Sequence, residues 1–229
     1  MNMDFNLFTP TKLLFGRGKL NELGNQKLPG RKALLLISSG QSVKTSGTLD
    51  RVTAQLDKAG ATYVICNNIH ENPSKEVVME AAACAKGNGC DFILALGGGA
   101  VLDSAVAVAA MATNPGDLWD YVCGGTGKAQ PLLHPGLPIV TIATTSGTGS
   151  EINCWGVISN HETNEKIGFG DPSLNPVLAI VDPELMRPVP AEYTVTVTTE
   201  GNGTASASPA KAVAGAEITL TATPNTGYH

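Results

Sequence analysis

The five residues Ala33-Leu34-Leu35-Leu36-Ile37 carry no polar side chain, and neither do Phe92-Ile93-Leu94-Ala95-Leu96. A strand with one wetted face alternates polar and apolar residues, whereas a run that is apolar throughout suits a strand covered on both faces. Pro138-Ile139-Val140-Thr141-Ile142-Ala143 repeats the pattern with a single hydroxyl. Thr62-Tyr63-Val64-Ile65-Cys66 and Lys12-Leu13-Leu14-Phe15 read as further strands. Helical stretches lie between them. Leu49, Val52 and Leu56 share one side of Thr48 to Lys58. Ser74 can cap a helix from Lys75 to about Lys86, and Asp103 to Met111 reads as a third helix. Strands alternating with helices imply an α/β fold, a parallel sheet flanked by helices on both faces.

The pattern changes near Pro190. Tyr193 to Thr199 alternates Thr with Val, Glu200-Gly201-Asn202-Gly203 is a hairpin signal, and a small-residue stretch runs to Ala210. Glu217 to Thr223 then alternates again. These features predict two or three antiparallel strands. With one Leu, one Ile and no Phe or Trp, this stretch has too few large side chains for a core of its own. The chain therefore divides into an α/β domain at 1–190 and a short antiparallel β tail at 191–229.

Composition excludes several classes. Charged residues make up 15%, the net charge is −5 and no basic run stands out, so a nucleic acid is not an expected partner. No apolar run approaches the roughly 20 residues of a membrane span. Met1 to Asn6 has neither the basic nor the apolar region of a signal peptide, so a cytoplasmic location is expected. The five cysteines are odd in number and lack CxxC spacing, which suggests reduced thiols that mostly fill the core. His70, His134, His161 and His229 stand singly and read as surface or loop residues.

Chemistry concentrates in two places. Leu94-Ala95-Leu96 runs into Gly97-Gly98-Gly99-Ala100 and then into a helix that includes Asp103. Glycines let a phosphate approach the backbone, and a helix N-terminus favours an anion. Three consecutive glycines exceed what a tight turn needs, which favours phosphate binding. The run is neither GxGxxG nor a P-loop. The second place is Thr144-Thr145-Ser146-Gly147-Thr148-Gly149-Ser150-Glu151, directly after a buried strand. Ligands of open α/β sheets bind outside such strand ends. Together the two stretches describe the walls of a nucleotide cleft in a Rossmann-like domain.

These motifs resemble the iron-containing (group III) alcohol dehydrogenases, particularly their butanol-dehydrogenase-like branch. The resemblance rests on Phe15 to Gly18, Asn72-Pro73, Gly97 to Gly99 with Asp103, Thr144 to Glu151, Glu165 to Phe169 and Val181 to Leu185. It covers residues 5 to about 193. It implies an N-terminal domain that holds NADP or NAD, and a helical domain that holds iron or zinc. In the family pattern Gly97, Gly98, Gly99 and Ala100 form the phosphate turn, with Gly98 and Gly99 on the pyrophosphate. Thr144, Thr145 and Thr148 line the nicotinamide side, Lys166 lies near the nicotinamide ribose, and Asn72 lies by the adenosine half. Ser39 and Gly40 follow the Ala33–Ile37 strand, where NAD-preferring relatives tend to carry an acid. The missing acid permits NADP.

Two positions depart from the family. Ala100 stands where Ser is usual, which removes a helix cap, and Val106 stands where Lys is frequent. The family's metal ligands lie beyond the stretch matched by Pro190 to Thr194, so the metal is expected to be absent from this chain. The sequence from Tyr193 onward resembles part of a bacterial cell-surface repeat, and its join to the first part suggests recombination or an assembly artefact. Three functions remain open. One is an oxidoreductase interconverting alcohols and aldehydes or ketones, inactive as this chain alone; the others are a non-catalytic nucleotide-binding fragment and a surface repeat protein. A homo-oligomer is compatible with all three.

Overall fold

A computed structural model describes residues 9–186, 192–199, 201–213 and 216–227. The chain divides into two compact units, Met1–Met186 and Arg187–His229. The first unit begins with β1 (Lys12–Phe15), β2 (Lys32–Ser38), α1 (Ser42–Thr45), α2 (Thr48–Lys58) and β3 (Thr62–Ile69). It continues with α3 (Lys75–Gly87), β4 (Phe92–Gly97), α4 (Gly99–Met111), α5 (Leu118–Tyr121) and β5 (Ile139–Ala143). The hairpin β6 (Trp155–Asn160) and β7 (Glu165–Gly170) follows, then β8 (Leu178–Val181).

Six of these strands form one sheet in the order β1-β8-β5-β4-β2-β3, and every pairing is parallel. The apolar runs are buried as their composition demands. Ala33, Leu35 and Ile37 of β2 join a core with Leu20, Leu23, Val52 and Leu56, on the face covered by α2. Leu34 and Leu36 point the other way, into a core with Val78 and Ala81 of α3 and Ala105 of α4. The chain steps outward from β2 to β3, then crosses back to β4 and onward to β5 and β8. Its direction of travel thus reverses between β2 and β4. Connections leave their C-terminal ends to opposite sides there, and a crevice opens.

The helix α4 is buried on almost every side, with Ala105, Val106, Val108 and Ala109 all at most 1% exposed. One side meets the sheet, and the β6–β7 hairpin packs on another. Gly156 of β6 sets that contact, because a Cβ there would run into the Asp103 carbonyl. The helix starts at Gly99 rather than at the predicted Asp103. The apolar residues Ala100 to Leu102 continue its buried surface, so the glycines lie at its start rather than in a turn ahead of it. The β6–β7 hairpin is absent from the sequence reading, since Gly156, Gly168 and Gly170 weaken its strand signal.

The second unit is antiparallel, as expected, but its pairing differs. β9 (Glu192–Thr194) pairs with β11 (Lys211–Val213), and β10 (Gly203–Ser208) pairs with β12 (Thr219–Pro224). The expected strand over Tyr193 to Thr199 stops at Thr194, and the small-residue stretch forms β10 instead. Its alanines lie opposite Ala222 and Leu220 of β12, and its serines opposite Thr221 and Thr219. Two-strand ladders with no buried partner place little demand on side-chain size. The stretches Met1 to Phe8 and Arg187 to Ala191, together with Glu200, Ala214, Gly215, Tyr228 and His229, lie outside the described residues. The signal-peptide reading and the hairpin's Glu200 fall among them.

Candidate functional site

A cleft of about 730 Å³ opens at the C-terminal ends of β2, β3 and β4. This is where the sheet order reverses, the position that open α/β folds use for ligands. Ser39 and Gly40 line it from the end of β2, and Gly98, Gly99 and Ala100 from the start of α4. Thr145 closes it from the loop after β5.

The start of α4 is built to receive an anion. Gly98 is its N-cap and no side chain caps the turn. The N–H groups of Val101 and Leu102 both donate to the Gly98 carbonyl, at 3.0 and 3.2 Å. Those of Gly99 and Ala100 have no backbone partner among the described residues. Such free groups carry the positive end of the helix dipole. Gly97 ends β4, and its carbonyl accepts from Thr144 N–H at 3.0 Å. The glycines also let the threonine loop close in. A Cβ on Gly99 would lie 2.7 Å from Thr148 Cγ2, and one on Gly98 would lie 3.1 Å from Thr145 Oγ1. Neither backbone is left-handed, so close packing accounts for these two glycines.

The other expected residues lie around this centre. The Thr148 hydroxyl accepts from Ser150 N–H at 3.2 Å. Asp103 faces away from the cleft, where its carboxylate accepts from the Ser150 hydroxyl at 2.7 Å and from Val157 N–H at 3.0 Å. It therefore ties the threonine loop and the hairpin to α4. Asn72, at φ +54°, accepts from Lys166 Nζ at 2.6 Å. The family pattern sends these two residues to opposite halves of a dinucleotide. The hydrogen bond joins them, and neither lines the cleft. Sequence reading missed Ile69, His70 and Glu71, which line the cleft from the end of β3. His70 is exposed, as expected, and its Nδ1 lies 2.9 Å from Ser39 Oγ. The signal that could have found them is position, since Ile69 ends a strand that pairs with β2 and His70 and Glu71 follow it.

The sequence model for "Iron-containing alcohol dehydrogenase" matches residues 10–183. The chain belongs to the iron-containing alcohol dehydrogenase family. Among its relatives is a "Probable NADH-dependent butanol dehydrogenase 1" of Bacillus subtilis, 42% identical over 192 residues, which are 84% of this chain and 48% of the relative. An "NADPH-dependent aldehyde reductase" of Escherichia coli is 35% identical over 180 residues, 79% of this chain and 45% of the relative. The crystal structure of an NADH-dependent butanol dehydrogenase A from Thermotoga maritima superposes with a TM-score of 0.74 at 36% identity, covering 82% of this chain and 46% of that one. The chain thus spans about half the length of the relatives it matches. Residues 193–229 match a "Divergent InlB B-repeat domain".

Against the iron-containing alcohol dehydrogenase pattern, the two departures take on a structural meaning. Ala100 is the second residue of α4, not its cap, so the absent hydroxyl removes no N-cap bond. Val106 is 1% exposed inside the apolar core, a place that would desolvate a lysine ammonium. Among the described residues no three His, Cys, Asp or Glu side chains gather where they could hold a metal ion. The described residues therefore do not supply the donor set that the family's iron or zinc needs. Burial pushes up the thiols of Cys66, Cys90 and Cys154, which suits core filling rather than reactivity. No described helix is long and apolar enough to cross a membrane.

Proposed function

We propose that residues 1–190 act as the cofactor domain of an oxidoreductase that interconverts alcohols and aldehydes or ketones, with NAD or NADP in the cleft. Residues 191–229 are proposed as a partial β repeat module. The observation that carries this reading is the uncapped start of α4, which opens on the crevice where the strand order reverses. There the Gly99 and Ala100 N–H groups would donate to a pyrophosphate. Gly97 and Gly98 keep the turn low enough for that approach. Thr144, Thr145 and Thr148 supply the wall expected to face the nicotinamide. Ser39 and Gly40 form the floor on the adenosine side. Lys166, which donates to Asn72 outside the cleft lining, is proposed to reach the nicotinamide ribose once the dinucleotide is bound, and Asn72 the adenosine half. Asp103 acts through Ser150 and Val157 to keep the threonine loop in place. A bound nicotinamide dinucleotide would supply the hydride acceptor or donor. The chain's own part is to bind it, orient it and screen one of its faces from water.

The described residues gather no set of metal donors, and this observation favours a second reading. In it the chain binds the dinucleotide without turnover. We propose that the protein works in the cytoplasm, where a nicotinamide dinucleotide would be at hand. Titration of the purified chain with NADH and NADPH by calorimetry tests the first reading. Saturable binding of either supports it, and a folded chain that binds neither ends it. Alcohol oxidation by the chain supplied with iron or zinc would end the second reading.

A further inference from the structure

The sequence places no acid after β2, which permits NADP, but the folded cleft does contain one. Glu71 lines it from the end of β3, the strand beside β2. It is exposed, and among the described residues it makes no ion pair. No Lys or Arg lines the cleft. Lys166 donates to the neighbouring Asn72 rather than to Glu71. Lys44, the cation nearest in sequence to Ser39 and Gly40, is absent from the lining. On this side the cleft is therefore Ser38 at the end of β2, Ser39 and Gly40 after it and Ser42 of α1, with Ile69 at the end of β3 and His70 and Glu71 after it.

The sheet order gives the distance. A pyrophosphate held at the start of α4 lies over β4. β2 is the next strand and β3 the one after it. Two strand spacings are about 10 Å, which suits an adenosine ribose over β2 with its outer hydroxyls turned toward β3. A carboxylate at that end accepts hydrogen bonds from ribose hydroxyls and repels a phosphate esterified at the 2′ position. We infer that Glu71 selects NAD(H) over NADP(H), an acid from the third strand of the crevice replacing the one missing after β2. This inference rests on the dinucleotide reading above.

Ser39 supports the arrangement. Its hydroxyl is engaged with His70, and its N–H donates to the Ile69 carbonyl at 2.8 Å. The ends of β2 and β3 are thus held together, and Glu71 keeps a fixed place relative to Gly40.

Calorimetric titration of the full chain and of Glu71→Gln with NADH and NADPH, at low and high salt, tests the inference. The wild-type chain is expected to bind NADH at least about tenfold more tightly than NADPH, the scale of one unpaired like-charge contact at a solvated site. Glu71→Gln should narrow that ratio by about tenfold, mainly through tighter NADPH binding. The wild-type preference should shrink at high salt. Glu71→Lys should invert the order. An unchanged ratio in a Glu71→Gln chain that still binds NADH overturns the inference and leaves the dinucleotide reading standing. A wild-type preference for NADPH does the same. Binding of neither cofactor by the folded wild-type chain overturns both together. Since Glu71 is exposed, both variants should fold, and matching melting curves for them and the parent check this.

Discussion

Gly99 shows how one missing methyl group serves two partners. Its backbone is helical, so an alanine there would not strain the chain and would favour α4 in isolation. The obstacle is Thr148, whose Cγ2 would lie 2.7 Å from the new Cβ. Overpacking of this kind costs about 1–3 kcal/mol. Gly99→Ala is therefore expected to weaken dinucleotide binding by about tenfold. Adding Thr148→Ala should restore part of the loss, a coupling that independent sites would not show. Asp103 carries a different load. Its carboxylate accepts from both Ser150 and Val157, and hydrogen bonds to a charged group are worth about 1.5–3 kcal/mol. Asp103→Ala should lower the urea unfolding free energy on that scale, and a value unchanged within error would show that the tie is idle. At this scale the sequence was half legible. The glycines and threonines declare themselves because their residue types are unusual together. Glu71 and His70 do not, because their relevance depends on β3 pairing with β2, a contact no local pattern reveals. The contact between Asn72 and Lys166 was hidden for the same reason, since residues 94 positions apart meet only in the fold.

Elements that are covered on both faces were the easiest to read. β2, β4 and β5 are continuous apolar runs and lie within a residue or two of their expected places. The β6–β7 hairpin was illegible, because Gly156, which serves a close approach to α4, and Gly168 and Gly170 all weaken its strand signal. Gly156→Ala should therefore destabilise the first unit by about 1–3 kcal/mol, since the Asp103 carbonyl that blocks it belongs to a helix backbone and cannot turn aside. Equal stability of the variant in urea would show that the hairpin lies loosely on α4. At the other strand of the hairpin, Glu165 binds the 122–130 loop. The Thr126 and Thr163 hydroxyls each donate to its Oε2 at 2.6 Å, and the Trp119 indole donates at 3.0 Å. The Thr126 N–H donates to Oε1 at 2.8 Å. The Thr126 hydroxyl first, and then its companions, pull the carboxyl down to about 2 from the ordinary 4.5. A depressed folded-state value means that the stabilisation is complete above the ordinary pKa and fades as pH falls toward the folded one. The stability difference between wild type and Glu165→Gln should thus be constant at neutral pH and shrink between pH 4.5 and about 2. A difference that stays level across that range would mean that the charge contributes nothing.

The two units of the molecule are stabilised by different means. The first encloses two apolar cores, one on each face of a six-stranded sheet. In the second unit none of residues 195–199, 201–212 and 216–227 is buried, and its described strands form two-strand ladders. Local opening free energies follow buried apolar contact, so amide exchange should separate the units sharply. Amides of β2, β4, β5 and α4 should exchange slowest, and those of β10 and β12 within the fastest group. Adding NADH then serves as a second probe. A ligand that binds only the folded form stabilises by about 2.7 kcal/mol at a hundred times its dissociation constant. In a domain of this size that corresponds to a rise of roughly 5–10 °C in melting temperature. Protection should increase around Ser39, Gly99 and Thr145, and in the slow core that opens only with global unfolding. Among the described residues the β10–β12 ladder leads into no helix whose start could receive a phosphate, so its exchange should not respond. Protection that rises in β10 and β12 but not at Gly99 would move the binding site out of the α/β unit, and the sheet crevice would then have no claim to the cofactor.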